Sequence, residues 1–150
     1  MSGVHSSIAI AAAPAAVWAV VMNPHRFAEW VTIHRELRSL SADPPREGTT
    51  MEQTLHLRGA DIHVRWLLVA CTEPRYARWE GTGPARSSAH IEYRLTATPD
   101  GTRFDYSNEF RAPLGPVGAL ASRTVMGGAP QREADRSLAA LRELIERPAR

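Results

Sequence analysis

Near the C-terminus, Ala134, Leu138, Leu141 and Ile145 recur at steps of four, three and four, which is one face of a 3.6-residue helix. The opposite face carries Arg132, Glu133, Asp135, Arg136, Arg142 and Glu143, side chains that want water. The pattern predicts one amphipathic helix over about Ala134 to Arg147, with Pro130 opening it. A single apolar stripe must be covered, and most of the chain ahead of it reads as strand. Its only large partner is therefore a sheet, and a sheet that curls against a helix encloses a space.

The strand readings rest on alternation. Val4–Ala12 comes first, with Ile8 and Ile10 on one face. Pro14 then suits the first turn of a short buried helix running to Met22, and a second short helix covers Arg26–Trp30. Thr32–Leu40 is a strand whose register Ile33 and Leu37 leave open, followed by a loop over Ser41–Gly48. Thr50–Arg58 turns Met51, Gln53, Leu55 and Leu57 one way, and Ile62–Thr72 turns Ile62, Val64, Trp66, Leu68 and Ala70. Arg75–Thr82 adds Ala77, Trp79 and Gly81; Ser87–Ala97 adds Ala89, Ile91, Tyr93 and Leu95. After the hairpin signal Pro99-Asp100-Gly101-Thr102, Arg103–Arg111 turns Phe104, Tyr106, Asn108 and Phe110 inward. Short turns between alternating strands predict an antiparallel meander. Val117–Met126 reads as helical up to a break at Gly127–Pro130, and a static bend is favoured there over the hinge of a lid.

Composition excludes more than it selects. The 150 residues suit one domain spanning the chain. No apolar run approaches the ~20 residues of a membrane span, and Met1–Ser7 lacks the positive charge of a secretory signal. A lone Cys71 fits a reducing cytoplasm. All 18 basic residues are arginine, so Schiff-base chemistry and a lysine anchor for pyridoxal phosphate are ruled out. Those arginines are scattered without interleaved aromatics and the net charge is only +2, which argues against a nucleic-acid partner. The six histidines show no metal-ligand spacing, and no cofactor motif is present.

The order strand, two short helices, six antiparallel strands and a long closing helix resembles the α+β helix-grip fold of the START-like (SRPBCC) superfamily. The residues that carry the likeness are Ile8–Trp18 with Pro14, Val17 and Trp18, then Phe27–Trp30, then Gly101–Tyr106, and the Leu138–Leu141 stripe. Within that superfamily the chain looks most similar to the small bacterial polyketide cyclase/dehydrase-like group. The resemblance implies a curved sheet of about seven strands around the last helix and a cavity between them. It also implies that Trp30 and Trp66 take aromatic pocket positions, Asn108 the place of a pocket amide, and Gln131 the mouth. Where an inward arginine would follow Trp66, this sequence has Leu68 and Ala70.

Most of the pooled apolar face is expected to be ordinary core. Gln53, Tyr93, Tyr106 and Asn108 are the polar groups on it, and a buried amide or phenol without a partner is costly. The expected ligand contacts are Trp30, Gln53, Trp66, Leu68, Trp79, Tyr93, Tyr106, Asn108 and Gln131. His34, close to Trp30 and with an ordinary pKa near neutrality, is the candidate proton carrier, and Asn108 would orient a substrate oxygen. The expected partner is a small hydrophobic, aromatic or lipid-like molecule, with a homodimer left open. Three functions follow: a cyclase/dehydratase-like enzyme, a carrier without chemistry, or an interaction module resembling the heat-shock ATPase activators. An enzyme needs a titratable group in the cavity, a carrier an apolar one, and an interaction module a filled core with an apolar outer patch.

Overall fold

A computed structural model describes residues 2–57, 59–111 and 129–147. The first strand, β1 (Ser2–Ile10), leads into helix α1 (Pro14–Val21), with Pro14 in its first turn where a missing N–H costs nothing. Asn23 accepts a hydrogen bond from the His25 backbone N–H and starts a single 3-10 turn (Pro24–Arg26), which runs into helix α2 (Phe27–Trp30). Six strands follow: β2 (His34–Leu40), β3 (Thr50–Leu57), β4 (Ala60–Thr72), β5 (Tyr76–Thr82), β6 (Ser88–Thr98) and β7 (Gly101–Arg111). Helix α3 (Ala129–Glu146) is the last described element.

The strands form one curved antiparallel sheet in the order β1-β7-β6-β5-β4-β3-β2. β2 to β7 make a meander, and β1 closes beside β7 with Ser2 opposite Phe110 and Ile10 opposite Thr102. The β6–β7 hairpin needs its glycine: Gly101 has φ +148°, and a Cβ there would stand 2.2 Å from the Ile10 carbonyl oxygen. The neighbouring Thr102 hydroxyl donates to the Ala12 carbonyl at 2.6 Å, which ties the hairpin to the β1–α1 turn.

Helix α3 lies against β1 and α2. Ala134, Leu138 and Leu141 are buried and Ile145 partly so, as the stripe requires. Polar links fasten it along its length. The Ser6 hydroxyl donates to Asp135 at 2.7 Å, and the Ala11 N–H to Glu146 at 2.8 Å. On the other flank, the Thr32 N–H donates to the Ser137 hydroxyl at 3.1 Å. The arrangement is the helix-grip fold expected from the element order.

Four local readings change. β2 starts at His34 rather than Thr32, and every third residue along it is half-buried, because two register shifts against β3 break the two-residue period. In β4 a bulge between Leu68 and Ala70 moves Cys71, in place of Ala70, opposite the buried Ala77. Thr54, expected on the wet face, is buried and shares a 2.9 Å hydrogen bond with His63 Nδ1. Glu133 is half-buried beside Thr32, which donates a hydrogen bond to its carboxylate. The Val117–Met126 segment, with Gly127 and Gly128 of the break, lies outside the described residues.

The outer face of the sheet is a ladder of ion pairs: Arg65 with Glu52, Arg78 with Glu80 and Glu92, and Arg103 with Asp105. Arg65–Glu52 and Arg78–Glu92 cross between neighbouring strands, and Arg78–Glu80 and Arg103–Asp105 lie within one. Leu67 is the one exposed large hydrophobic among the described residues. Among them too, no helix is long and apolar enough to cross a membrane.

Candidate functional site

Between the concave face of the sheet and helices α2 and α3 lies a cavity of about 160 Å³. Trp30 arrives from α2, Gln53 from β3, Trp66 from β4 and Trp79 from β5; Tyr93 and Tyr106 with Asn108 come from β6 and β7. All seven were expected there, and alternation along twisted strands is what points the six strand residues to one side. Ala134, Ser137 and Leu138 close it from α3.

The aromatic rings form a continuous wall. Trp30 meets Phe104 edge-on with centroids 6.5 Å apart, and Tyr93 sits 5.4 Å from Phe104 and 6.1 Å from Tyr106. Gly81 is part of the design on the other side, because a Cβ at that position would stand 2.6 Å from the Trp66 ring. The indole can lie across β5 only because the side chain there is hydrogen.

Two amides occupy this wall, with opposite fates. Trp66 Nε1–H donates to Gln53 Oε1 at 2.9 Å. An indole can only donate, so the Gln53 carbonyl faces Trp66 and its NH₂ faces His34 Nδ1, 2.8 Å away. His34 therefore accepts at Nδ1 and carries its proton on Nε2. Burial lowers its pKa below the ordinary histidine value. On the other side, Asn108 donates from Nδ2 to the Tyr106 hydroxyl at 3.2 Å. Its Oδ1 is buried without a partner among the described residues, and so is the indole N–H of Trp30. Burial pushes the Tyr106 phenol up to about 12 and raises that of Tyr93 further. Both stay neutral at physiological pH.

Two expected ligand contacts, Leu68 and Gln131, and the candidate proton carrier His34 stand elsewhere. Leu68 is fully buried core and does not line the cavity. Gln131 is exposed on α3, where it donates to the His5 carbonyl at 3.0 Å and to Asp135 at 3.1 Å, so it fastens helix to strand. His34 lies behind Gln53, packed edge-on against Phe27 at 5.7 Å, and its ring is not among the groups lining the cavity. Conversely, Phe27, Val31, Ile33, Glu133 and Ser137 line the cavity and were not anticipated. Ser137 carried a legible signal: it sits three residues after Ala134 and four before Leu141, a polar side chain inside the apolar stripe. Val31 and Ile33 lie in the turn before β2, where period-two reasoning has no purchase. Among the described residues no cluster of His, Cys, Asp and Glu could hold a metal. The Cys71 thiol is raised by burial and by nearby Glu73 and Glu47, which leaves it a poor nucleophile.

Residues 1–146 match the family described as polyketide cyclase/dehydrase and lipid transport. The chain belongs to that family. Family membership and the helix-grip fold agree with a structural likeness to the ZhuI aromatase/cyclase of Streptomyces sp. R1128, with TM-score 0.79 and 16% identity over 99% of this chain and 96% of that one. The Aha1 dimer from Colwellia psychrerythraea shares the fold at TM-score 0.67 and 13% identity, covering 98% of both chains. Among curated proteins, the toxin Rv0910 of Mycobacterium tuberculosis is 23% identical over 124 residues, 81% of this chain and 86% of its own.

Proposed function

We propose that this member of the family binds a small hydrophobic molecule between sheet and α3, and that it does so as a carrier or sensor without chemistry of its own. The observation that carries the reading is the cavity itself: about 160 Å³ walled by aromatic and aliphatic side chains, in a family described by cyclase and lipid-transport activities. An engineered cavity of about 150 Å³ in another protein stays dry and takes up benzene, so this volume corresponds to one ring with small substituents.

Support for binding without catalysis comes from the protonation chemistry. Of the described groups lining the cavity, the titratable ones are the two high-pKa tyrosines and Glu133, whose carboxylate is engaged by Thr32. His34, the candidate proton carrier, has its Nδ1 occupied by Gln53 and its ring outside the wall. An amide such as Asn108 orients an oxygen and does not move a proton near neutral pH. The interaction-module reading fares worse, because the outer face is charge-paired and holds Leu67 alone as an exposed large hydrophobic among the described residues.

Native mass spectrometry of protein purified from its own host tests the proposal. The expected result is a retained small molecule, lost on denaturation and competed by an added aromatic probe. A bare chain whose melting temperature no hydrophobic probe moves would overturn it.

A further inference from the structure

A chain with 18 arginines and no lysine places none of the arginines among the described groups lining its cavity; the one charged residue there is Glu133. Among the described residues, a ligand carboxylate or phosphate entering this space would lose its hydration, find no cation, and approach a like charge. Yet the wall is not wholly satisfied. Trp30 Nε1–H and Asn108 Oδ1 are both shut away from water, and neither has a partner among the described residues. Each such group is destabilising until something bonds to it. Both line the same cavity, in one aromatic cluster: Tyr93 packs 6.4 Å from Trp30 and 6.1 Å from Tyr106, the phenol bonded to Asn108. The cavity they share, about 160 Å³, has room for about one ring with small substituents. The Asn108 amide turns on a soft sp³–sp² torsion, so it can follow a ligand group.

From these observations we infer that the ligand is a neutral, single-ring compound bearing a carbonyl-type oxygen, which accepts from Trp30 Nε1–H, with a hydroxyl or second polar group meeting the Asn108–Tyr106 pair. The inference rests on the cavity being a binding site, as proposed above. It goes beyond that reading in excluding anionic ligands, long acyl acids included, and in naming the two polar contacts.

Four probes of similar size separate the possibilities: acetophenone, 4-hydroxyacetophenone, ethylbenzene and benzoate, each titrated into the full chain at pH 7.5. Binding is followed by calorimetry and by the indole N–H signals in a ¹⁵N correlation spectrum. Acetophenone should bind at least tenfold more tightly than ethylbenzene, 4-hydroxyacetophenone should bind more tightly still, and benzoate should be the weakest. The Trp30 indole N–H should move downfield with the two ketones and not with ethylbenzene. In Trp30→Phe, which keeps a ring and removes the donor, the preference for acetophenone over ethylbenzene should fall several-fold. If Trp30→Phe does not fold, the indole shift in the unaltered chain decides the same point. Equal or tighter binding of ethylbenzene, or of benzoate, would overturn the inference while leaving the cavity a hydrophobic site. Failure of all four to bind, with no cavity signal moving, would overturn the site and the inference together.

Discussion

Gln53 and Asn108 are the same kind of residue in the same kind of place, an amide among aromatics on the concave face of one sheet, and the protein uses them differently. Gln53 is closed between Trp66 and His34, both of its ends spent on neighbours. Asn108 spends only its NH₂, on Tyr106, and keeps a buried acceptor beside a cavity that also holds the unpartnered Trp30 indole. Both polar ends of Gln53 are thus paired, whereas the α2–β6–β7 side keeps a buried donor and a buried acceptor without partners among the described residues. A polar group on an inner face signals function only when the fold leaves it unpaired.

Substitutions on the two sides should separate them. The largest effect belongs to Phe104, fully buried between Trp30 and Tyr93. Phe104→Ala should cost about 3–5 kcal/mol by chemical denaturation, since it removes the core ring that backs Trp30 and Tyr93 of the wall. A loss under about 1 kcal/mol would mean that the α2–β6–β7 side is too loosely packed to order a ligand.

Next are the changes on the closed side. Gly81→Ala places a methyl 2.6 Å from the Trp66 ring and should destabilise by about 1–3 kcal/mol. Gln53→Leu strands the Trp66 N–H and should cost a similar ~1–3 kcal/mol. At about 2–4 °C per kcal/mol for a chain of this size, both are readable as melting shifts.

Asn108→Leu is the matching change on the open side. It removes a buried acceptor that had no partner and also the 3.2 Å bond that Nδ2 gives the Tyr106 hydroxyl; the gain and the loss oppose, so stability should move by no more than about 0.5 kcal/mol while the thermal shift given by 4-hydroxyacetophenone disappears. A stability loss equal to that of Gln53→Leu would erase the distinction between the two amides.

The smallest effect is a pH dependence. Burial depresses His34 in the folded state, so the unfolded chain takes up the proton first. The stability His34 contributes is complete above the unfolded value, about 6.5, and is lost as pH falls through it toward the folded pKa. Protonating Nδ1 also sets two donors face to face across the Gln53 contact. An NMR titration should find the His34 midpoint below 6.5, and Gln53→Leu should change it. A midpoint at or above 6.5 would remove His34 from the closed network.

The sheet, the terminal helix and most of the wall were legible because they depend on periodicity. Alternation assigned Trp66, Trp79, Tyr93, Tyr106 and Asn108 to one face, and the spacing of Ala134, Leu138 and Leu141 required a surface to cover them. Where the period breaks, legibility stopped. Bulges in β2 and β4 changed which residues face inward, and the turn at Val31–Ile33 joined the wall from outside any strand. Gln131 was misplaced for a related reason: helical phase says which side of a helix a residue occupies, and only the docked helix says what stands opposite.

Sequence alone determined that an amphipathic helix closes over a curved antiparallel sheet, since burying each apolar face once admits few other assemblies. Only the tertiary structure decided which polar groups on those faces found partners and how much space was left between them. Hydrogen bonding and packing are set by distances of tenths of an ångström between strands remote in sequence, and no pattern within a single strand encodes them.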